Sequence, residues 1–151
     1  MGAQEVPRMA VSAIPEGYNT LTPFLTVKNA AGVMEFLKKA FGAIETERME
    51  GPPGIVRHGE MKIGTSMVML AEAGPTSVAS PASIYMYVER VDEVYAAAIA
   101  AGGAPIMPPT NMPHGDRSGG VTDPAGNKWW IATHIEDVSP EETMRRMMGG
   151  R

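Results

Sequence analysis

The chain contains no cysteine, which removes disulfides, thiolate metal sites and a cysteine nucleophile together. No apolar run approaches the ~20 residues of a membrane span, and Met1–Ala13 lacks the charged-then-apolar order of a secretion signal. Basic excess is missing too. A net charge of −4 with no basic stripe argues against a general nucleic-acid backbone binder. There is no Gly-rich phosphate loop, no nucleophile elbow and no HExxH motif. Hydrophobic residues are 44% and charged residues 20%, which excludes a disordered chain. A cytoplasmic globular protein is expected, with neither nucleic acid nor membrane as partner.

What is present is a sequence written twice. Residues 21–44 moved forward by 61 positions land on residues 82–105 with matching chemistry. Leu25 falls on Met86, Val27 on Val88, Val33 on Val94, Ala40 on Ala101 and Gly42 on Gly103. The same offset carries Met67-Val68-Met69-Leu70 onto Lys128-Trp129-Trp130-Ile131 without a gap. One such unit cannot bury its own apolar face, so the two copies must pair. With 151 residues, both fit in one domain.

Alternation and punctuation give each copy its elements. Thr20–Val27 reads as a strand, and Asn29 caps a helix that Gly42 stops at about Phe41. Strands follow near Ala43–Met49, Ile55–Ile63 and Met67–Ala71, and Gly74–Pro81 is a linker. The second copy has strand Ser83–Val88, helix Asp92–Ala101, strand Ala104–Met107, a long loop Pro108–Gly115, and a hairpin turn at Asp123-Pro124-Ala125-Gly126-Asn127 before strand Trp129–Thr133. Ser139-Pro140-Glu141-Glu142 then opens a last helix. The expectation is an α+β fold of two βαβββ repeats, about 18–73 and 82–137, forming one domain at 17–137. A tail covers 1–16, and a helix and tail cover 138–151. The predicted core comprises Leu25, Val27, Val33, Leu37, Val68, Leu70, Met86, Val88, Val94 and Ile131.

Two such units, with mixed sheets curled around a concave cleft, resemble the vicinal oxygen chelate superfamily of glyoxalase, bleomycin resistance protein and dioxygenase. The resemblance covers about residues 18–137, and its most specific stretch is Asp123-Pro124-Ala125-Gly126-Asn127-Lys128-Trp129. Gly115-Asp116-Arg117, Ala132-Thr133-His134 and Val138-Ser139-Pro140-Glu141-Glu142 are similar to the bacterial PhnB-like branch. In metal-using members, the first and last strands of each copy aim His, Gln or Glu at one divalent ion. Carried over by register, those slots hold Thr22 and Met69 in the first copy, Ser83 and Trp130 in the second. Hydroxyls are weak divalent ligands, a thioether prefers soft ions and indole offers no lone pair. No metal and no other cofactor is therefore expected at the family position, which puts glyoxalase and dioxygenase chemistry in doubt.

Strand parity then places Phe24 beside Thr22, Met67 beside Met69, and Tyr85 and Tyr87 beside Ser83; Ala132 joins Trp130. That set describes an apolar, aromatic cleft with a few hydroxyls, the usual character of small-molecule sites. The same residue types also fill ordinary cores. His58 and Glu60 alternate with Met61 and Ile63, so they point into the concavity as a pair suited to proton transfer, or stand as solvated strand residues. His114 reads as a surface residue and His134 as a satisfied structural one. Asp116, Arg117 and Asp123 read as a charge pair bracing the hairpin, with Arg117 at the cavity rim available to an anionic ligand.

Three functions fit these residues. The first is a metal-independent binder of a small apolar or aromatic molecule. The second is a lyase or isomerase-type enzyme using His58 and Glu60, with or without a metal in a non-family position. The third is a protein whose dimer surface is its function. A homodimer is expected because curled four-stranded sheets leave edges and an apolar face to cover. The Gly74–Pro81 linker permits the repeats to pair within one chain or to be exchanged between two.

Overall fold

The 61-residue offset reappears in the backbone pairing. The computed structural model describes residues 10–149; the parts of the expected tails at 1–9 and 150–151 lie outside the described residues. The elements run β1 (Phe24–Val27), α1 (Ala30–Phe41), β2 (Ile44–Glu50), β3 (Val56–Ile63), β4 (Ser66–Glu72), β5 (Ser83–Tyr87), α2 (Val91–Ala100), β6 (Ala104–Asn111), β7 (Asp116–Thr122), β8 (Lys128–His134) and α3 (Pro140–Met147). They form two four-stranded mixed sheets, β1-β4-β3-β2 and β5-β8-β7-β6. Phe24 stands opposite Met69 in a parallel pair, and 61 residues on Tyr85 stands opposite Trp130.

The register extends to the helix entrances. The Glu72 carboxylate accepts from the backbone N–H of Asn29 at 2.7 Å and of Ala30 at 3.1 Å, placing a negative charge on the positive end of α1. Thr133, 61 residues after Glu72, accepts from the Val91 N–H at 3.0 Å with its hydroxyl. Asn29 caps α1 by accepting from the Gly32 N–H, and Gly42 ends it in the left-handed conformation, φ 66°.

In the first copy α1 buries Ala30, Val33, Met34, Phe36, Leu37 and Ala40 against Leu25, Val27, Met61, Val68 and Leu70 of its sheet. The second copy is covered less well. Met86, Val88 and Val94, expected in the core, are only partly buried. The reason is composition: where α1 has Phe36 and Leu37, the offset gives α2 Ala97 and Ala98. A cavity of about 630 Å³ opens between the copies, lined by Phe41, Ile63 and Val68 of the first and by Ile84, Met86, Val88 and Val94 of the second, among others.

Two expected boundaries move by more than one residue. β1 begins at Phe24 rather than Thr20, and β6 runs on to Asn111 through Pro108 and Pro109, where a loop was expected. β6 is an edge strand and its register shifts between Met107 and Thr110. Proline is tolerated at such places because no ladder hydrogen bond is lost.

The two copies pack chiefly through α1 against α2, with the Phe41 and Trp129 rings 5.1 Å apart across the junction. Each sheet therefore keeps an open face on the side away from its helix. The segment Pro15–Tyr18 lies along the first of these, beside Glu60, Lys62, Met67 and Met69.

Candidate functional site

On the first sheet, Met61 is fully buried toward α1, so the alternation of β3 turns His58 and Glu60 to the open face. His58 Nε2 lies 3.6 Å from Glu60 Oε2, an ion-pair distance rather than a hydrogen bond. The His58 ring centroid is 6.3 Å from that of Phe24, which is itself exposed. Met69 is half-buried and Met67 almost fully buried beside Pro15–Tyr18. Thr22 precedes β1 and makes no side-chain hydrogen bond among the described residues.

On the second sheet, parity separates the two tryptophans. Trp129 is 1% exposed in the core, while Trp130 lies half-buried on the open face. Its indole N–H donates to Ser83 Oγ at 3.1 Å. Its six-membered ring lies over Gly120, where a Cβ would come within 2.6 Å of the ring. Glycine is required there by that close approach. The indole is thus a plate held at one edge by Ser83 and from beneath by backbone.

Beside this plate is a polar cluster centred on Asp116, which is 1% exposed. Tyr85 and Tyr87 donate their hydroxyls to Asp116 Oδ2 at 2.7 and 2.9 Å. His114 Nε2 lies 3.2 Å from the same oxygen, and His134 Nδ1 lies 2.8 Å from Oδ1. Burial alone would raise the Asp116 pKa. The hydrogen bonds from His134, Tyr85 and Tyr87, helped by the charge of His114, overcome that and hold it at about 2. Burial and then the Asp116 carboxylate push the Tyr85 phenol well above its ordinary value, and the hydrogen bond to Asp116 does the same for Tyr87. His134 Nε2 meets Asp137 Oδ1 at 2.7 Å, and these two carboxylates, Asp137 first, raise its pKa.

No sequence periodicity announces this cluster. Asp116 and Arg117, expected to act together as a charge pair, are neighbours on a strand and so face opposite ways. Arg117 points to the helix side, where it binds Asp92 at 2.9 and 3.1 Å and Asn111 at 3.1 Å. It is not at the rim of the cleft with Trp130. His114 is not a bare surface residue, since it reaches Asp116. Once β7 and β8 are paired, parity supplies the signal: Asp116, Ser118 and Gly120 share a face with Trp130, Ala132 and His134. Asp123 does brace the hairpin, though by hydrogen bonds rather than by pairing with a cation.

Within one chain the two halves of the expected cleft stay apart. No hydrogen bond or ring contact among the described residues joins Phe24, His58, Glu60, Met67 and Met69 to Ser83, Tyr85, Tyr87 and Trp130. Thr22, Met69, Ser83 and Trp130, the positions matched by register to the family's metal slots, also present unsuitable donors. The Trp130 indole has no lone pair to give, and Ser83 Oγ already accepts its N–H. No group of three or more His, Asp or Glu among the described residues is disposed to hold a metal.

Residues 18–131 match the model of the glyoxalase/bleomycin resistance protein/dioxygenase superfamily. The uncharacterized protein Rv0887c of Mycobacterium tuberculosis is 31% identical over 155 residues, 95% of this chain and 89% of that one. Among solved structures, TioX from Micromonospora sp. ML1 superposes with a TM-score of 0.67 at 24% identity, covering 78% of this chain and 99% of TioX. The Arabidopsis thaliana gene product At5g48480 gives 0.62 at 23% identity, covering 76% and 98%. At those identities the likeness is one of fold. No helix among the described residues is long and apolar enough to cross a membrane.

Proposed function

This chain belongs to the glyoxalase/bleomycin resistance protein/dioxygenase superfamily, and from that premise we propose that it binds a small, mainly aromatic molecule without a family-type metal. The observation that carries the reading is Trp130. A metal slot is filled by an indole plate, braced by Ser83 and Gly120, with Tyr85 opposite it in the strand register. A planar ring stacked on such a plate gains roughly 0.5–1.5 kcal/mol beyond area burial. Met67 and Met69 on the other sheet supply adaptable walls for varied ligand shapes.

The site is completed by a second copy. Phe24 and Trp130 lie on different open faces, so facing the first sheet of one protomer with the second sheet of another brings both halves around one ligand. Each sheet also has two edge strands, β1 and β2 in the first and β5 and β6 in the second, of which β1 is already met at Thr26 by Ser80. Sedimentation of the protein at micromolar concentration should therefore give a dimer; a monomer carrying full ligand affinity would defeat the completed cleft.

A screen of planar aromatic compounds read by melting temperature supplies the probe, since binding to the folded state raises the midpoint. Trp130→Ala should weaken a hit by about tenfold or more while leaving the protein folded. Gly120→Ala keeps the indole but pushes it off the sheet, so binding should fall there too. If both variants bind as the wild type does, the plate is not the site. Proton transfer by His58 and Glu60 is the second reading, favoured by their shared open face and 3.6 Å spacing.

A further inference from the structure

The polar cluster around Asp116 is unusual in what it leaves for a ligand to meet. Each phenol has one proton, and both protons are given to Asp116. Both nitrogens of His134 face carboxylate oxygens, so both of its N–H groups are spent, one on Asp116 and one on Asp137. His114 Nε2 faces Asp116 Oδ2 at 3.2 Å and Tyr85 Oη at 3.5 Å, so Nε2 carries the proton and Nδ1 is bare when the ring is neutral. Every donor in the cluster is therefore committed inward. The atoms left outward are acceptors: the remaining lone pair of Tyr87 Oη and Nδ1 of His114, while Tyr85 Oη already meets His114 Nε2 and Ser118 and offers mainly its ring.

The rings point the same way. Tyr85 and Tyr87 are 45% and 64% exposed, with centroids 5.4 Å apart and planes at 63°, so they form two walls of an angular box open to solvent. Trp130 stands beside Tyr85 in the strand register. Aromatic faces attract cations through their negative quadrupole, and the charges behind them add to this. Asp116 and Asp137 outnumber the imidazolium of His134 by one. Arg146, which reaches the Pro113 carbonyl beside His114, is offset by Glu136 and Glu142, and Lys128 lies at the far end of β8, six residues or ~20 Å of strand from His134.

We propose that this face selects an aromatic ligand bearing a protonated amine, with the ring on Trp130 and the ammonium against Tyr85 and Tyr87. The inference rests on the reading of the open face as a ligand surface and adds the ligand's charge to it. Asp116 acts as a positioning residue. It does not touch the ligand; it turns the phenol protons inward so that the Tyr87 oxygen accepts.

Four probes with one ring test this: phenethylammonium, phenethyltrimethylammonium, phenethyl alcohol and 3-phenylpropionate, titrated by tryptophan fluorescence and calorimetry. Phenethylammonium should bind roughly tenfold more tightly than the carboxylate, with the alcohol between them. The trimethyl form, which keeps the charge but has no N–H, should bind more weakly than the ammonium. Asp116→Asn frees the tyrosine protons to point outward, so the preference for ammonium should shrink toward none while alcohol binding changes less than about twofold. The double variant Tyr85→Phe with Tyr87→Phe removes the acceptor oxygens without unpairing a buried donor, and decides the matter if Asp116→Asn does not fold. Equal binding of all four probes, with dependence on Trp130 intact, overturns the charge preference and leaves the aromatic site standing. Binding of none of them overturns both.

Discussion

Trp129→Ala should lower the stability of the folded protein by about 3–5 kcal/mol, the range for deleting a large buried aromatic side chain. The side chain is 1% exposed and its ring contacts Phe41 across the junction between the copies. Two losses add. The first is a void that would enlarge a cavity Trp129 already lines. The second is polar: the Trp129 indole donates to Asp123 Oδ2 at 2.9 Å, and Asp123 is 4% exposed. The same carboxylate accepts from the backbone N–H groups of Ala125 and Asn127 and from the Asn127 side chain. Asn127 in turn accepts from the Ala82 N–H just before β5. Removing the indole takes one donor from a buried carboxylate and loosens the turn that anchors a neighbouring strand. Trp130→Ala, on the half-exposed face, should cost about 1 kcal/mol, the ordinary size of a point substitution. Urea unfolding of both variants measures this, with equal slopes showing that only stability changed. Were Trp130→Ala the more damaging of the two, the faces of β8 would be assigned the wrong way round.

The same contrast shows what the sequence made legible. A fixed offset of 61 fixes which residues of β4 and β8 are equivalent, and period-2 alternation then separates Trp129 from Trp130. The succession of strands and helices, the caps at Asn29, Gly42 and Ser139, and the placing of His58 and Glu60 opposite Met61 follow from such local rules. Incomplete burial in the second copy was written in the same alignment, where Ala97 and Ala98 stand for Phe36 and Leu37. It passed unseen because a helix of alanines still reads as apolar. The Asp116 cluster was harder. Its members come from β5, the turn before β7, β7 itself and the end of β8, so their meeting depends on tertiary register. Two residues decided it. β7 starts at Asp116, which fixes that side chain on the open face and sends Arg117 to the other. Gly115, at φ 102°, supplies the turn that brings His114 back over Asp116. Neither has a periodicity of its own to announce it.

Acid should remove from the wild type a stabilisation that Asp116→Asn never has. The Asp116 carboxyl is held at about 2 in the folded protein against an ordinary value of 3.8. A depressed folded-state pKa contributes stability that is complete above the unfolded value and is lost as the pH falls toward the folded one. At 1.36 kcal/mol per pKa unit, the contribution is about 2 kcal/mol. The side chain is shielded from solvent, so the figure is not discounted as a surface pair's would be. Other carboxylates titrate in the same range, including Glu45, Asp92, Glu136 and Glu142, whose pKa values are lowered by arginine partners. They are common to both proteins and cancel in the difference. His134 is treated the same way by working below pH 6, where its raised pKa keeps it charged. The gap in unfolding free energy between wild type and Asp116→Asn should therefore be about 2 kcal/mol at pH 5–6 and close steadily toward pH 2. A gap that stays constant down to pH 2 would mean that the tyrosines and histidines hold Asp116 by shape alone, and that the charge at the centre of the cluster contributes nothing to the fold.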